Sequence, residues 1–278
     1  MKKQIIFFVM CLVTLFGCSK AQQSTDTVSK AENIQTVTEM PTPTAVPSTP
    51  TPTLVPTPTP TPEPTPELPL AGRIICIDPG HCISNVSKSE PMSPLSDVTK
   101  PQYTRGTSGK NLSEVELNLI VGLMLKEELE ALGAEIVMTR EVNEVTISGL
   151  ERVEIGNSSG ADFVIRIHAD GSTDPSVHGV STLVPSGNLM GHPEIKDESI
   201  RLGQLMVDCV AEKTGAKNLG AIPRSDLQGH NWSQIPSVFI EMGYMTNVQE
   251  DALLETEEYQ QLIVEGMVES IWLWYESR

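Results

Sequence analysis

From residue 41 to residue 69 the chain alternates threonine with proline (TPTLVPTPTPTPEPTPELP), which limits folding more sharply than any other stretch. Proline fixes φ and donates no backbone N–H, so such a run favours extended polyproline II at about 3.1 Å per residue and can reach on the order of 90 Å without building a core. Most of the 21 prolines lie there, so the part able to fold is shorter than the full 278 residues. Residues 20–40 are polar, with too little apolar surface to offset the entropy of ordering, and are expected to be disordered. The chain therefore divides into residues 1–17, a tether over residues 18–70, and one folded domain over residues 71–278.

Lys2 and Lys3 precede an apolar run from residue 5 to residue 16, the length of a signal-peptide core and too short to cross a bilayer of ~30 Å. It reads as an export signal. The run ends Leu15-Phe16-Gly17-Cys18, which resembles the lipobox of bacterial lipoproteins, although Phe16 departs from the small residue usual there. That resemblance implies acylation of Cys18 and a membrane-anchored, extracytoplasmic domain facing the cell wall; the alternative is an ordinary cleaved signal with a chance cysteine. Acyl chains contribute about 0.8 kcal/mol per buried CH₂, and two or three of them hold a protein durably on a membrane. The 36 acidic side chains exceed the 19 basic ones by 17, which excludes nucleic acid as a partner, because its phosphates would repel the chain. Cysteines at 11, 18, 76, 82 and 209 form no C-x-x-C pair, so Cys76, Cys82 and Cys209 are read as free thiols.

Beyond residue 70, short β-rich runs alternate with helical patterns, which predicts an α/β fold: a single twisted, mostly parallel sheet flanked by helices on both faces. Strands are expected at residues 73–77 (RIICI), 134–138, 162–167 (DFVIRI), 180–184 and 236–240. Ser113 and Glu116 make a capping box that opens a helix with Leu117, Ile120, Val121, Met124 and Leu125 on one face, and Gly133 supplies its left-handed stop. Ser148 with Glu151 opens a second helix. Further helices are expected over residues 198–214 and 257–275.

Three polar residues then fall just past predicted strand ends: His81, His168 and Glu241. Ligands of open α/β sheets bind outside those ends. Glu114 joins them as a carboxylate in the first turn of a helix, where the macrodipole keeps it ionised. Two imidazoles and one carboxylate are a catalytic zinc set that leaves the fourth position to water. The separations, 33 residues from 81 to 114 and 54 from 114 to 168, form no local motif, so position alone carries the signal. Each residue also has an ordinary reading: His81 decorating a D-P-G turn, His168 a lone imidazole, Glu114 complementing a dipole. Glu241 after an apolar strand would be costly to desolvate unless something pairs or uses it. His178, His192 and His230 lie in loop-like sequence and are expected to be solvent-exposed without a role.

Four ordered blocks carry a wider resemblance: Ile77-Asp78-Pro79-Gly80-His81, Ser113-Glu114-Val115-Glu116-Leu117-Asn118-Leu119, residues 161–169 (ADFVIRIHA) and residues 235–247 (IPSVFIEMGYMTN). They resemble the zinc-dependent N-acetylmuramoyl-L-alanine amidases of the Amidase_3 type, over essentially all of residues 73–275. The resemblance implies one zinc ion held by His81, Glu114 and His168, Glu241 as the catalytic carboxylate, and peptidoglycan as substrate. Cys82 and Ile83 stand where the family commonly has glycines, and the segment from His81 to Ser113 is longer than usual. Arg166 and Asp170 replace a frequent serine and asparagine. Arg166 shares a strand face with His168, where its guanidinium would hold a substrate carboxylate or else pair with one of the chain's acids. The segment 83–110 is a candidate lid or a plain surface loop. From another class comes a non-catalytic wall-binding lipoprotein on the same fold, and a zinc peptidase cutting within the stem peptide is the other enzymatic alternative.

Overall fold

The computed structural model describes residues 68–278. The signal segment 1–17, Cys18 and the tether as far as residue 67 lie outside the described residues. Among the described residues no helix is long and apolar enough to cross a membrane.

Six strands form one sheet, in the order β4 (Glu135–Met138), β1 (Ile74–Pro79), β5 (Phe163–Asp170), β8 (Ser237–Tyr244), β6 (Val180–Pro185) and β7 (Asn218–Arg224). The first four run parallel, and β6 meets β8 antiparallel before pairing in parallel with β7. Consecutive parallel strands need crossover helices, which here are α1 (Glu114–Ala131), α2 (Gly149–Ser158) and α3 (Lys196–Thr214); the short α4 (Gln228–Asn231) precedes β8, and α5 (Val248–Leu254) and α6 (Glu257–Glu276) follow it.

Side chains alternate across each strand, and the sequence sorts them cleanly. Ile75, Ile77, Phe163, Ile165, Ile167, Val238 and Ile240 face one way and pack with Leu117, Val121 and Leu125 of α1, with α3, and with Ile263, Ile271 and Trp274 of α6. Each fully buried Leu, Ile or Phe there contributes roughly 1.5–3 kcal/mol. Cys76 and Val164 face the other way, and Gly156 of α2 lies against both. Asp78, Arg166, His168, Phe239 and Glu241 continue that second face by alternation, so the polar residues share one side of the sheet.

Both predicted capping boxes are present, at Ser113 with Glu116 and at Ser148 with Glu151. Gly133 follows the end of α1 at φ 93°, as its stop role requires. Cys76, Cys82 and Cys209 are free and buried. Two strands are longer than the sequence implied: β5 runs through His168 to Asp170 and β8 runs through Glu241 to Tyr244. His168 and Glu241 are therefore strand residues rather than residues beyond a strand end. Within 83–110 an antiparallel hairpin forms, β2 (Ser89–Ser93) with β3 (Ser96–Pro101), where a loop was expected. It is tied to the body by Glu90, which accepts from the Leu150 N–H at the start of α2 (2.9 Å), and by Pro91, whose carbonyl accepts from Trp232 and Gln228.

Candidate metal centre

His81 reaches the centre because β1 ends in Asp78-Pro79-Gly80 and the chain then turns through His81 at φ 63°, the left-handed region that non-glycine residues seldom occupy. Glu114 is the first residue of α1, set by its N-cap Ser113. His168 projects from β5, in register with Glu241 on β8. These separate elements bring His81 Nε2 to 2.9 Å and His168 Nδ1 to 3.0 Å from Glu114 Oε1, with 3.1 Å between the two nitrogens.

Such a triangle suits a divalent metal. Zinc holds nitrogen and oxygen donors at about 2.0–2.2 Å, which puts tetrahedral donors about 3.3–3.5 Å apart, slightly wider than the observed separations. His81, Glu114 and His168 are the one group of at least three potential metal ligands found among the described residues. His168 and Glu114 are also in the state a metal requires. Burial lowers the pKa of His168, keeping its imidazole neutral. For Glu114 burial works against charge, but the imidazoles of His168 and His81 outweigh it and hold the carboxyl well below its ordinary range.

Two of the three ligand candidates, His81 and Glu114, are held from behind, which keeps the tautomer and orientation of a metal ligand. The His81 Nδ1 lies 2.7 Å from Thr104 Oγ1, and Glu114 Oε2 accepts from the Thr107 N–H at 2.8 Å. Gly106 between those threonines has φ 71°, and a Cβ there would sit 2.1 Å from Glu114 Oε2. The segment 102–109 therefore wraps the centre closely, and only glycine fits its tightest point. Sequence reasoning treated this stretch as a lid or loop; the one local signal for its role was the glycine itself.

Glu241 is 8% exposed, beside the triangle rather than within it. Burial, then the Glu114 and Asp170 carboxylates, push its pKa well above the ordinary value.

Arg166 is buried, and its Nη1 lies 2.5 Å from Asp78 Oδ2, so this structure fits the paired-arginine alternative and not a guanidinium open to substrate. Asp78 also takes Thr139 Oγ1 (2.6 Å) and Arg152 Nη1 (3.1 Å). Burial alone would raise its pKa, but the two guanidiniums prevail and keep it ionised. Asp78 had been missed as a structural anchor; a charge inside an apolar strand was the available signal, since a buried carboxylate needs partners.

One expectation is overturned. His230 is fully buried in α4, with Nδ1 2.9 Å from Ser237 Oγ and Nε2 3.1 Å from the Leu183 carbonyl, rather than solvent-exposed. A four-residue helix shows no periodicity from which burial could be read. His178 is exposed, and the half-exposed His192 side chain pairs with Glu194 at 2.9 Å.

The family described as N-acetylmuramoyl-L-alanine amidase, Amidase_3, matches residues 75–272. The chain is 28% identical over 207 residues to the N-acetylmuramoyl-L-alanine amidase Rv3717 of Mycobacterium tuberculosis, spanning 73% of this chain and 86% of that protein. It is similar in fold to the crystal structure of the amidase Ami1 from Mycobacterium smegmatis, with a TM-score of 0.68 and 28% identity over 75% of this chain and 99% of the other. For the apo form of Ami1 from Mycobacterium abscessus the TM-score is 0.66 and the identity 29%, over 74% of this chain and all of the other.

Proposed function

The chain belongs to the Amidase_3 family and is a hydrolase of the N-acetylmuramoyl-L-alanine amidase type acting on peptidoglycan, and on that premise we propose that it cuts the muramoyl–L-alanine amide with one zinc ion and Glu241 as proton carrier. The observation that carries this reading is the triangle of His81 Nε2, Glu114 Oε1 and His168 Nδ1, all within 3.1 Å, with Glu241 in register on the next strand.

An unactivated amide needs a strong nucleophile, a polarised carbonyl and a proton for the departing nitrogen. Zinc held by the triangle would polarise the lactyl carbonyl and lower the pKa of a water from 15.7 to about 7. Glu241 takes the proton of the attacking water and returns it to the α-amino nitrogen of L-alanine as that bond breaks. General acid–base transfer of this kind is typically worth ~10² to 10⁴ in rate. Burial and then acidic neighbours, which favour the protonated form of Glu241, suit the second half of that task. Thr104 and Thr107 fix the orientations of His81 and Glu114, and Gly106 lets the backbone pass close enough for them to do so.

Mass spectrometry of digested peptidoglycan tests the choice of bond. Free L-alanine amino termini on intact glycan are expected; new ends within the stem peptide would identify a peptidase instead, and undegraded sacculi a wall-binding protein.

We also propose that acylated Cys18 and the Thr/Pro tether hold residues 71–278 within the wall, away from the membrane surface. Cys18→Ser should then release the protein to the medium, whereas a variant that stays with the membrane fraction would rule out the lipid anchor.

A further inference from the structure

Ser181 on β6 stands directly opposite Glu241 on β8 in the antiparallel part of the sheet, so both side chains leave the same face. The hydroxyl is buried, at 1% exposure, and its Oγ has no hydrogen-bond partner. That is an uncomfortable state for a buried donor, which ordinarily finds an acceptor. Its neighbour Thr182 points to the opposite face and is satisfied, donating to the Gly203 carbonyl at 2.9 Å. The Glu241 carboxylate has the converse problem. The charges around it are mainly those of Glu114 and Asp170, which repel it, while Arg224, the cation nearby, has Nε and Nη2 committed to Asp226 at 2.8 Å each. Directly opposed residues hold their Cβ atoms about 4.5–5.5 Å apart, so rotation about χ1 of Ser181 aims its hydroxyl at the carboxylate.

We propose that Ser181 is a positioning residue for the reaction: its hydroxyl donates to the Glu241 carboxylate and fixes that group beside the His81, Glu114 and His168 triangle. The inference rests on the assignment of Glu241 as proton carrier. Ser181 touches neither substrate nor metal in this scheme, so its loss lowers kcat and leaves KM and zinc content unchanged. A charge-assisted hydrogen bond of this kind corresponds to about a tenfold to hundredfold effect on kcat.

The test uses the zinc-loaded full-length protein and a soluble N-acetylmuramoyl peptide. Threonine and valine have nearly the same shape, so Ser181→Thr and Ser181→Val isolate the hydroxyl from any steric effect of the extra methyl group, and Ser181→Ala reports the hydroxyl without added bulk. Ser181→Ala and Ser181→Val should lose kcat by the stated factor at constant KM, with Ser181→Thr restoring most of it. Ser181→Ala with full kcat, or threonine and valine variants equally impaired, overturns the proposal. Glu241→Gln is assayed in parallel. If it keeps turnover, the assignment of Glu241 itself falls. If it is inactive while Ser181→Ala is unimpaired, only the role of Ser181 falls. Residual turnover of Glu241→Gln should be unchanged by adding Ser181→Ala, and a further loss of the same factor in the double variant would show that the hydroxyl acts elsewhere.

Discussion

Two glutamates of one site live in opposed surroundings. Glu114 lies between two imidazoles that keep it ionised, the state metal ligation needs, whereas burial and then acidic neighbours favour the proton on Glu241. Environments that separate two carboxyl groups in this way separate their roles. The capping box made Glu114 legible as a helix-start carboxylate from sequence alone, while nothing local distinguished His230. That imidazole offers a pH test. Burial, and then the charge of Arg166, push its pKa down to about 3, below the ~6.5 of an unfolded chain. Between those values the unfolded chain binds a proton that the native one refuses. Its contribution to stability is therefore complete above about pH 6.5 and is lost as pH falls, by up to about 1.4 kcal/mol per unit. Thermal melts in excess chelator, from pH 7.5 down to 4.5, should show a shallower decline for His230→Gln than for the parent. Equal slopes would contradict the assignment.

At the scale of elements, the helices were easier to read than the strands. Apolar periodicity and caps located α1 and α6 closely, but His168 and Glu241 looked like strand ends because polar residues interrupt otherwise apolar runs. In fact β5 and β8 are interior strands whose ladders continue past those residues, and alternation simply sends them to the polar face. β7 escaped notice because Gly220 and Pro223 weaken its pattern, which an edge strand tolerates. The β2–β3 hairpin was hidden for a related reason, since Asp97, Val98 and Thr99 are all exposed and show no alternation. The segment that follows it has the more direct consequence. A methyl group at Gly106 would collide with Glu114 Oε2 and sit 2.7 Å from His81 Cδ2, besides meeting an unfavourable φ. Gly106→Ala should therefore cut zinc affinity by about 10- to 100-fold, as loss of outer support around metal ligands typically does, with a smaller change in melting temperature of the metal-free protein. Unchanged affinity in a competition titration with a chromophoric chelator would show that the segment does not shape the centre.

For the molecule as a whole, sheet direction explains why the site lies where it does. β1, β5 and β8 run parallel, so the residues near their carboxyl ends gather at one rim, while α1, the helix of the first crossover, begins there and brings Glu114 with it. That arrangement was largely legible, because four ordered motifs lie on those elements. The path of the residues 83–110 and the pairing of Arg166 with Asp78 were not, since both depend on contacts between positions remote in sequence. The proposed function turns on one zinc ion held by His81, Glu114 and His168. Its most direct test is turnover of sacculi by the purified protein after exhaustive chelation, followed by titration with zinc. Activity should vanish with the metal and return at one equivalent per chain; sacculi still degraded by metal-free protein in excess chelator would contradict the central claim.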